Sequence, residues 1–237
     1  MIRSIITVLF VILFLILGLP VLGIFWIISK FNPALADRAQ LAIVQWAFCI
    51  MIKLAGIHLH VSGRENIPQD CGVLYIGNHQ SFYDIIVTYS LCPGLTGYVS
   101  KKEVSKVPIL STWMKRLYCL FIDRENPRQA LKVILTAIDQ IKQNKSIFIF
   151  PEGTRSKTGE LQEFKAGSFK IASKTNCPII PVTICGTRNI FENNVPKLTP
   201  GDVYVTYGQP IYMNELSEDE KKHINTYVQE QIQSQLQ

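Results

Sequence analysis

The chain has 237 residues, 48% of them apolar and 18% charged, and 24 Lys plus Arg against 18 Asp plus Glu give a formal charge of +6. No repeat or low-complexity tract is present, which excludes solenoid, collagen-like, coiled-coil and disordered classes. Apolar residues make up 39 of the first 54 positions but 74 of the remaining 183, so the first quarter needs a solvent other than water and the rest has the composition of a soluble domain.

Between Arg3 and Lys30 lie 26 uncharged residues. As a helix they would reach about 39 Å, more than the roughly 30 Å of a bilayer's hydrocarbon core. Gly18, Pro20 and Gly23 inside the run predict a kinked or broken helix. A second uncharged stretch, Ala39 to Ile52, is short for a span and suits an interfacial or folded-back segment, with Trp26 and Trp46 at headgroup depth. A cleaved secretory signal ending near Ala34-Leu35-Ala36 fits poorly, because the apolar region is about twice the usual ~7 to 15 residues and Lys30 interrupts the approach to the cut. Lys30, Arg38 and Lys53 outnumber Arg3, so the positive-inside tendency puts the following chain on the cytoplasmic side of a membrane. That side is reducing. The six cysteines show no C-x-x-C pair and no tight framework, consistent with free thiols and against a zinc site or disulfide scaffold.

From about residue 55, short β-branched runs alternate with helical ones. The strand candidates are His58 to Val61, Val73 to Ile76, Gly97 to Ser100, Leu117 to Ile122, Ser146 to Phe150, Ile179 to Ile184 and Val203 to Tyr207. The clearest helix runs from Pro127 to Ile141, capped by Asn126 and striped by Leu131, Ile134, Leu135, Ile138 and Ile141. Ser217 with Glu220 makes a capping box for a final polar helix. This alternation predicts an α/β domain over residues 55–237, with a largely parallel central sheet and flanking helices, preceded by membrane-associated helices over residues 1–54. Sites in such sheets lie at the carboxyl ends of strands. Two strand candidates end in dense polar segments, Gly77 to Asp84 and Pro151 to Ser156.

His79 and Asp84 meet only if the histidine precedes a helix that starts near Ser81, whose spacing to Asp84 is that of a capping box. The carboxylate would then fix the imidazole tautomer and raise its basicity, making a general base poised near neutral pH. The spacing alone leaves open a histidine merely satisfied by a helix cap. In the second segment, Glu152-Gly153-Thr154-Arg155 combines a glycine that permits close backbone approach with a guanidinium fork suited to phosphate. Gly153 to Gly159 is not a nucleotide loop, since Thr158 and Gly159 stand where Gly-Lys is required. Residues 101 to 174 hold 15 Lys plus Arg against 7 Asp plus Glu, indicating an anionic partner: lipid headgroup, phosphorylated substrate, coenzyme A or acidic carrier protein, with nucleic acid demoted for want of a recognisable motif. No Gly-x-Ser-x-Gly elbow exists, which favours direct transfer to a substrate hydroxyl. His58, His60 and His223 have no ligand set around them, and no metal or other cofactor is expected.

Four ordered blocks over roughly residues 55 to 210 resemble the glycerolipid acyltransferases, specifically the 1-acylglycerol-3-phosphate (lysophosphatidic acid) acyltransferases. They are Asn78-His79-Gln80-Ser81-x-x-Asp84; Lys102-Glu103 through Pro108 to Phe121-Ile122-Asp123-Arg124; Phe150-Pro151-Glu152-Gly153-Thr154-Arg155-Ser156; and Pro178-Ile179-Ile180-Pro181-Val182. The resemblance implies His79 as general base, Asp84 as its orienting partner, and Arg124, Glu152, Gly153 and Arg155 around the acceptor's phosphate and glycerol. Thr154, Lys102 and, from Phe164-Lys165-Ala166-Gly167, Lys165 join the implied substrate-binding set. The fourth block is expected to shape an acyl or acceptor pocket, and the N-terminal element to seat the domain on one leaflet. Ser111 and Tyr118 depart from the family, whose members often carry Gly there. Arg155 suits a phosphate monoester, favouring lysophosphatidate over lysophosphatidylcholine. The implied reaction moves an acyl group from acyl-CoA or acyl carrier protein to the 2-hydroxyl of lysophosphatidate. Alternatives are another acceptor, such as glycerol 3-phosphate or a lyso-aminolipid, or a non-catalytic membrane lipid-binding protein.

Overall fold

The computed structural model describes residues 1–236. It opens with two long antiparallel helices, α1 (Ile2–Phe31) and α2 (Pro33–Ala55). Asn32 alone makes the reversal: it ends α1, its side chain accepts the Leu35 N–H at 3.0 Å, and Pro33 takes the first position of α2. Of the kinked or broken helix expected, the break is absent: α1 runs as one helix through Gly18, Pro20 and Gly23. A proline removes a single donor from a 30-residue ladder, and packing restores the balance: Gly18 lies against Trp113, and Leu22 and Phe25 enter the domain core with Leu41 and Val44 of α2. The second stretch does fold back, as a full 23-residue helix. The open end of the hairpin is tied down, since the Arg3 guanidinium donates to Leu54 O at 3.0 Å and Leu198 N–H to Ser4 Oγ at 2.9 Å. The outward face of α1 shows Ile5, Leu9, Ile12, Leu13 and Ile16. By length and composition both helices are apolar enough to cross a bilayer.

The remaining elements in chain order are β1 (Ile57–Ser62), β2 (Leu74–Gly77), α3 (Phe82–Leu91), β3 (Thr96–Lys101), α4 (Pro108–Arg116), β4 (Leu120–Ile122), α5 (Pro127–Lys142), β5 (Ser146–Ile149), α6 (Lys170–Thr175), β6 (Ile179–Cys185), α7 (Thr187–Ile190), β7 (Gly201–Tyr207), α8 (Glu218–Lys222) and α9 (Ile224–Gln233). One sheet of order β1-β7-β6-β2-β5-β3-β4 results. All neighbours are parallel except β6 with β7. Alternating side chains feed two cores, as period-2 patterning of buried strands requires. Tyr75, Phe148, Val182 and Ile184 face α2, α3 and the end of α1, while Leu74, Ile76, Ile147 and Ile149 face α5, α6 and α9. Because β2 lies between β6 and β5, the segments leaving these three strands at their carboxyl ends emerge side by side.

One strand starts later than the pattern predicts. Residues from Leu117 were expected to be extended, but Tyr118 adopts φ +62°, in the left-handed region, and β4 begins at Leu120. A tyrosine there is strained and must be held. Its hydroxyl donates to Asp37 Oδ2 at 2.5 Å, and the Lys145 ammonium lies 4.5 Å from its ring centroid. Tyr118 thus takes the backbone shape a glycine would, and ties the turn to α2.

Candidate active site

At the end of β2 the backbone is pinned before the chemistry begins. Asn78 is buried, and its amide exchanges two 2.8 Å hydrogen bonds with the C=O and N–H of Ile184 in β6. Ser81 then caps α3, its Oγ accepting the Tyr83 N–H at 3.0 Å while Asp84 reaches back to accept the Ser81 N–H at 2.7 Å. The same Asp84 Oδ2 accepts the Gln80 N–H at 2.6 Å and stands 2.8 Å from His79 Nδ1, and Oδ1 accepts the Thr187 hydroxyl at 2.5 Å. A carboxylate on that side assigns the proton to Nδ1 and leaves the Nε2 lone pair outward. The His79 ring lies on Phe150, with centroids 4.1 Å apart and planes 16° apart, which fixes its tilt.

Beyond β5, Glu152 is buried and braces the two segments together. Its Oε1 accepts the His79 N–H at 2.6 Å and its Oε2 the Gln162 N–H at 3.2 Å, while the Ser156 N–H donates to the His79 carbonyl at 2.8 Å. Burial, reinforced by the negative charge of Asp84, pushes the Glu152 carboxyl up to about 7. Gly153 follows at φ +78°. A Cβ there would come 2.8 Å from Lys165 Nζ and 3.5 Å from the Arg124 guanidinium carbon. Two cations therefore converge over bare backbone, and among the described residues neither makes a salt bridge. They line a cavity of about 300 Å³ whose apolar wall includes Val99, Ile122, Leu131, Ile134 and Phe150.

The other candidates are placed differently. Arg155 pairs with Glu192 at 3.0 Å and lies over the Phe82 ring, 3.7 Å from its centroid, at the amino end of α3. Lys102 is paired with Asp123 at 2.7 Å. Thr154 is exposed.

Residues 58–185 match the model of the family described as Acyltransferase. A 1-acyl-sn-glycerol-3-phosphate acyltransferase of Borreliella burgdorferi is 34% identical over 201 residues, which cover 83% of this chain and 80% of that one. The chain belongs to the acyltransferase family. A 1-acyl-sn-glycerol-3-phosphate acyltransferase of Cocos nucifera is 38% identical over 81% of this chain and 66% of its own. This chain spans 44% of the length of a chloroplastic relative from Brassica napus, with 37% identity over 154 residues. The crystal structure of the 1-acyl-sn-glycerophosphate (LPA) acyltransferase PlsC from Thermotoga maritima superposes with a TM-score of 0.80 at 24% identity, covering 99% of this chain and 96% of that one. It shares the fold.

For an acyltransferase the arrangement has a direct chemical reading. Among the described residues no serine or cysteine side chain hydrogen-bonds the imidazole, so the groups present suit removal of a proton from a bound hydroxyl and not formation of a covalent enzyme intermediate. Three contributors were not legible in the sequence. Phe150 stands in the sequence as one residue of a strand end, and Thr187 and Glu192 carry no local signal of their roles. They lie 103 and 110 residues from their partners Asp84 and Phe82, and no local periodicity or spacing signals such contacts.

Proposed function

We propose that this acyltransferase moves an acyl group from a carrier thioester, coenzyme A or acyl carrier protein, to the 2-hydroxyl of lysophosphatidate, giving phosphatidate. The observation that carries the reading is the His79–Asp84 pair, its carboxylate fully buried and its imidazole partly exposed, beside two cations that make no salt bridge among the described residues and an apolar cavity. His79 Nε2 takes the hydroxyl proton as the oxygen bonds to the thioester carbonyl. The C–S bond then breaks and the imidazolium returns the proton to the departing sulfur. Arg124 and Lys165 hold the acceptor's phosphate monoester, with Arg155 completing the electrostatic field from the α3 side. The wall of Ile122, Leu131 and Ile134 receives an apolar chain. The relatives named as acting on 1-acyl-sn-glycerol 3-phosphate support this acceptor.

Residues 1–54 serve as the membrane seat and residues 55–237 as the catalytic domain. The antiparallel hairpin, tied end to end, suits immersion in one leaflet, and Lys30, Arg38 and Lys53 orient the domain to the cytoplasmic face. Purified protein in phospholipid vesicles, given one labelled thioester and equal lysophosphatidate, glycerol 3-phosphate and lyso-aminolipid, tests the assignment. Label is expected in phosphatidate with each thioester carrier that is a donor. Preferential labelling of another acceptor's product would overturn it.

A further inference from the structure

We propose that Thr187 is a positioning residue of the catalytic pair, acting through Asp84 on the aim of His79; the inference rests on His79 being the base. The two oxygens of the wholly buried Asp84 are unequally served. Oδ2 receives three N–H groups, those of His79, Gln80 and Ser81, all from its own turn. Oδ1 has one partner, the Thr187 hydroxyl, at 2.5 Å. Thr187 is itself fully buried and opens α7 directly beyond β6. The turn that delivers it is demanding, because Gly186 sits at φ +89° and a Cβ on it would lie 2.2 Å from the Asp202 carbonyl oxygen. As the first residue of α7, Thr187 has no carbonyl one turn back in its own helix of the kind Thr88 uses on Asp84 at 2.5 Å. Thr187 instead donates across to the carboxylate of another element, which as an ionised group can only accept.

Two further titratable groups face Asp84, Glu152 from the loop after β5 and Cys185 from the end of β6. Neither donates to it. Without Thr187 the Oδ1 lone pairs would be buried and bare. The carboxylate would keep its three N–H partners on Oδ2 but lose the one contact that fixes Oδ1, loosening the plane of the carboxylate and with it the aim of Nε2.

The test compares Thr187→Val, which keeps the shape and deletes the donor, with Thr187→Ser, which restores it, and with His79→Ala, all in vesicles. We expect Thr187→Val to lower kcat by ~10- to 100-fold with acceptor KM within about twofold of wild type. Thr187→Ser should stay within about threefold of wild-type turnover. Wild-type turnover in Thr187→Val or a loss expressed in KM alone would overturn the positioning role, as would a serine variant as impaired as the valine one. Near-normal turnover in His79→Ala would instead overturn the base assignment on which the inference rests, so the two failures are distinguishable.

Discussion

The segment after β2 and the segment after β5 stand side by side and are built on different plans. In Asn78 to Asp84 the polar groups are held by hydrogen bonds: the Asn78 amide is locked to β6, the Asp84 carboxylate takes four donors, and His79 spends Nδ1 on Asp84, leaving Nε2 without a partner among the described residues. Around Gly153 the backbone is fixed by Glu152, yet the ammonium of Lys165 and the guanidinium of Arg124 meet over it, and among the described residues neither makes a salt bridge, Glu103 acting on Arg124 only at longer range. The difference separates two requirements of acyl transfer. A proton acceptor has to be aimed before the substrate arrives, because misplacement weakens the transition state. An anion site has to keep its charges uncompensated until the anion arrives, or the pairing would have to be broken first.

Replacing His79 is the most direct way to break the first plan. His79→Ala should lower kcat by ~10² to 10⁴ and leave acceptor KM nearly unchanged, since no cation loses its place. A steady-state titration of lysophosphatidate at saturating thioester measures both. The second plan predicts the reverse division among the cations. Arg124→Ala or Lys165→Ala each removes a charge-assisted contact, about 1.5–3 kcal/mol, or roughly 10- to 150-fold in kcat/KM for the acceptor. Arg155→Ala should cost less than about tenfold, because its guanidinium is already engaged by Glu192 and by the Phe82 ring. A loss in Arg155→Ala as large as in Arg124→Ala would move the phosphate toward the amino end of α3. No loss at all would remove Arg155 from the site.

The same contrast explains what could be read beforehand. His79, Ser81 and Asp84 act within one turn, so spacing and capping rules were enough to bring them together. The strands and the parallel sheet were legible for a similar reason, because β-branched runs followed by polar segments are local patterns. The convergence of Arg124 and Lys165 over Gly153 joins three stretches of chain, and a basic tally over residues 101 to 174 could locate the charge but not divide free cations from paired ones. Lys102 counted equally there, although Asp123 holds it at 2.7 Å. The continuity of α1 through Pro20 was not legible, because a proline's local cost is set against tertiary packing, here of Leu22 and Phe25, that no local pattern shows. The delay of β4 turned on Tyr118, whose left-handed backbone depends on a contact to Asp37 far away in the chain.

Glu152 joins the two plans, and its titration gives the smallest and most specific test of the junction. The resemblance implied a place around the acceptor, whereas the carboxyl is buried between the His79 and Gln162 N–H groups. Burial raises it from 4.5 to about 7 in the folded protein. Between those values the folded chain holds a proton that the unfolded chain has released, so stability is greatest below about 4.5 and falls as pH rises through about 7. The expected loss between pH 5 and pH 8 is on the order of 1–2 kcal/mol after allowance for solvent relaxation, read as a falling Tm in thermal unfolding followed by circular dichroism. Glu152→Gln cannot titrate, and its NH₂ must face one of the two backbone donors. It should therefore be less stable than wild type at pH 5, yet flatter in Tm between pH 5 and pH 8. A variant whose Tm falls over that interval as steeply as the wild type would place the titrating group elsewhere, and Glu152 would then brace the two segments as an ionised carboxylate throughout.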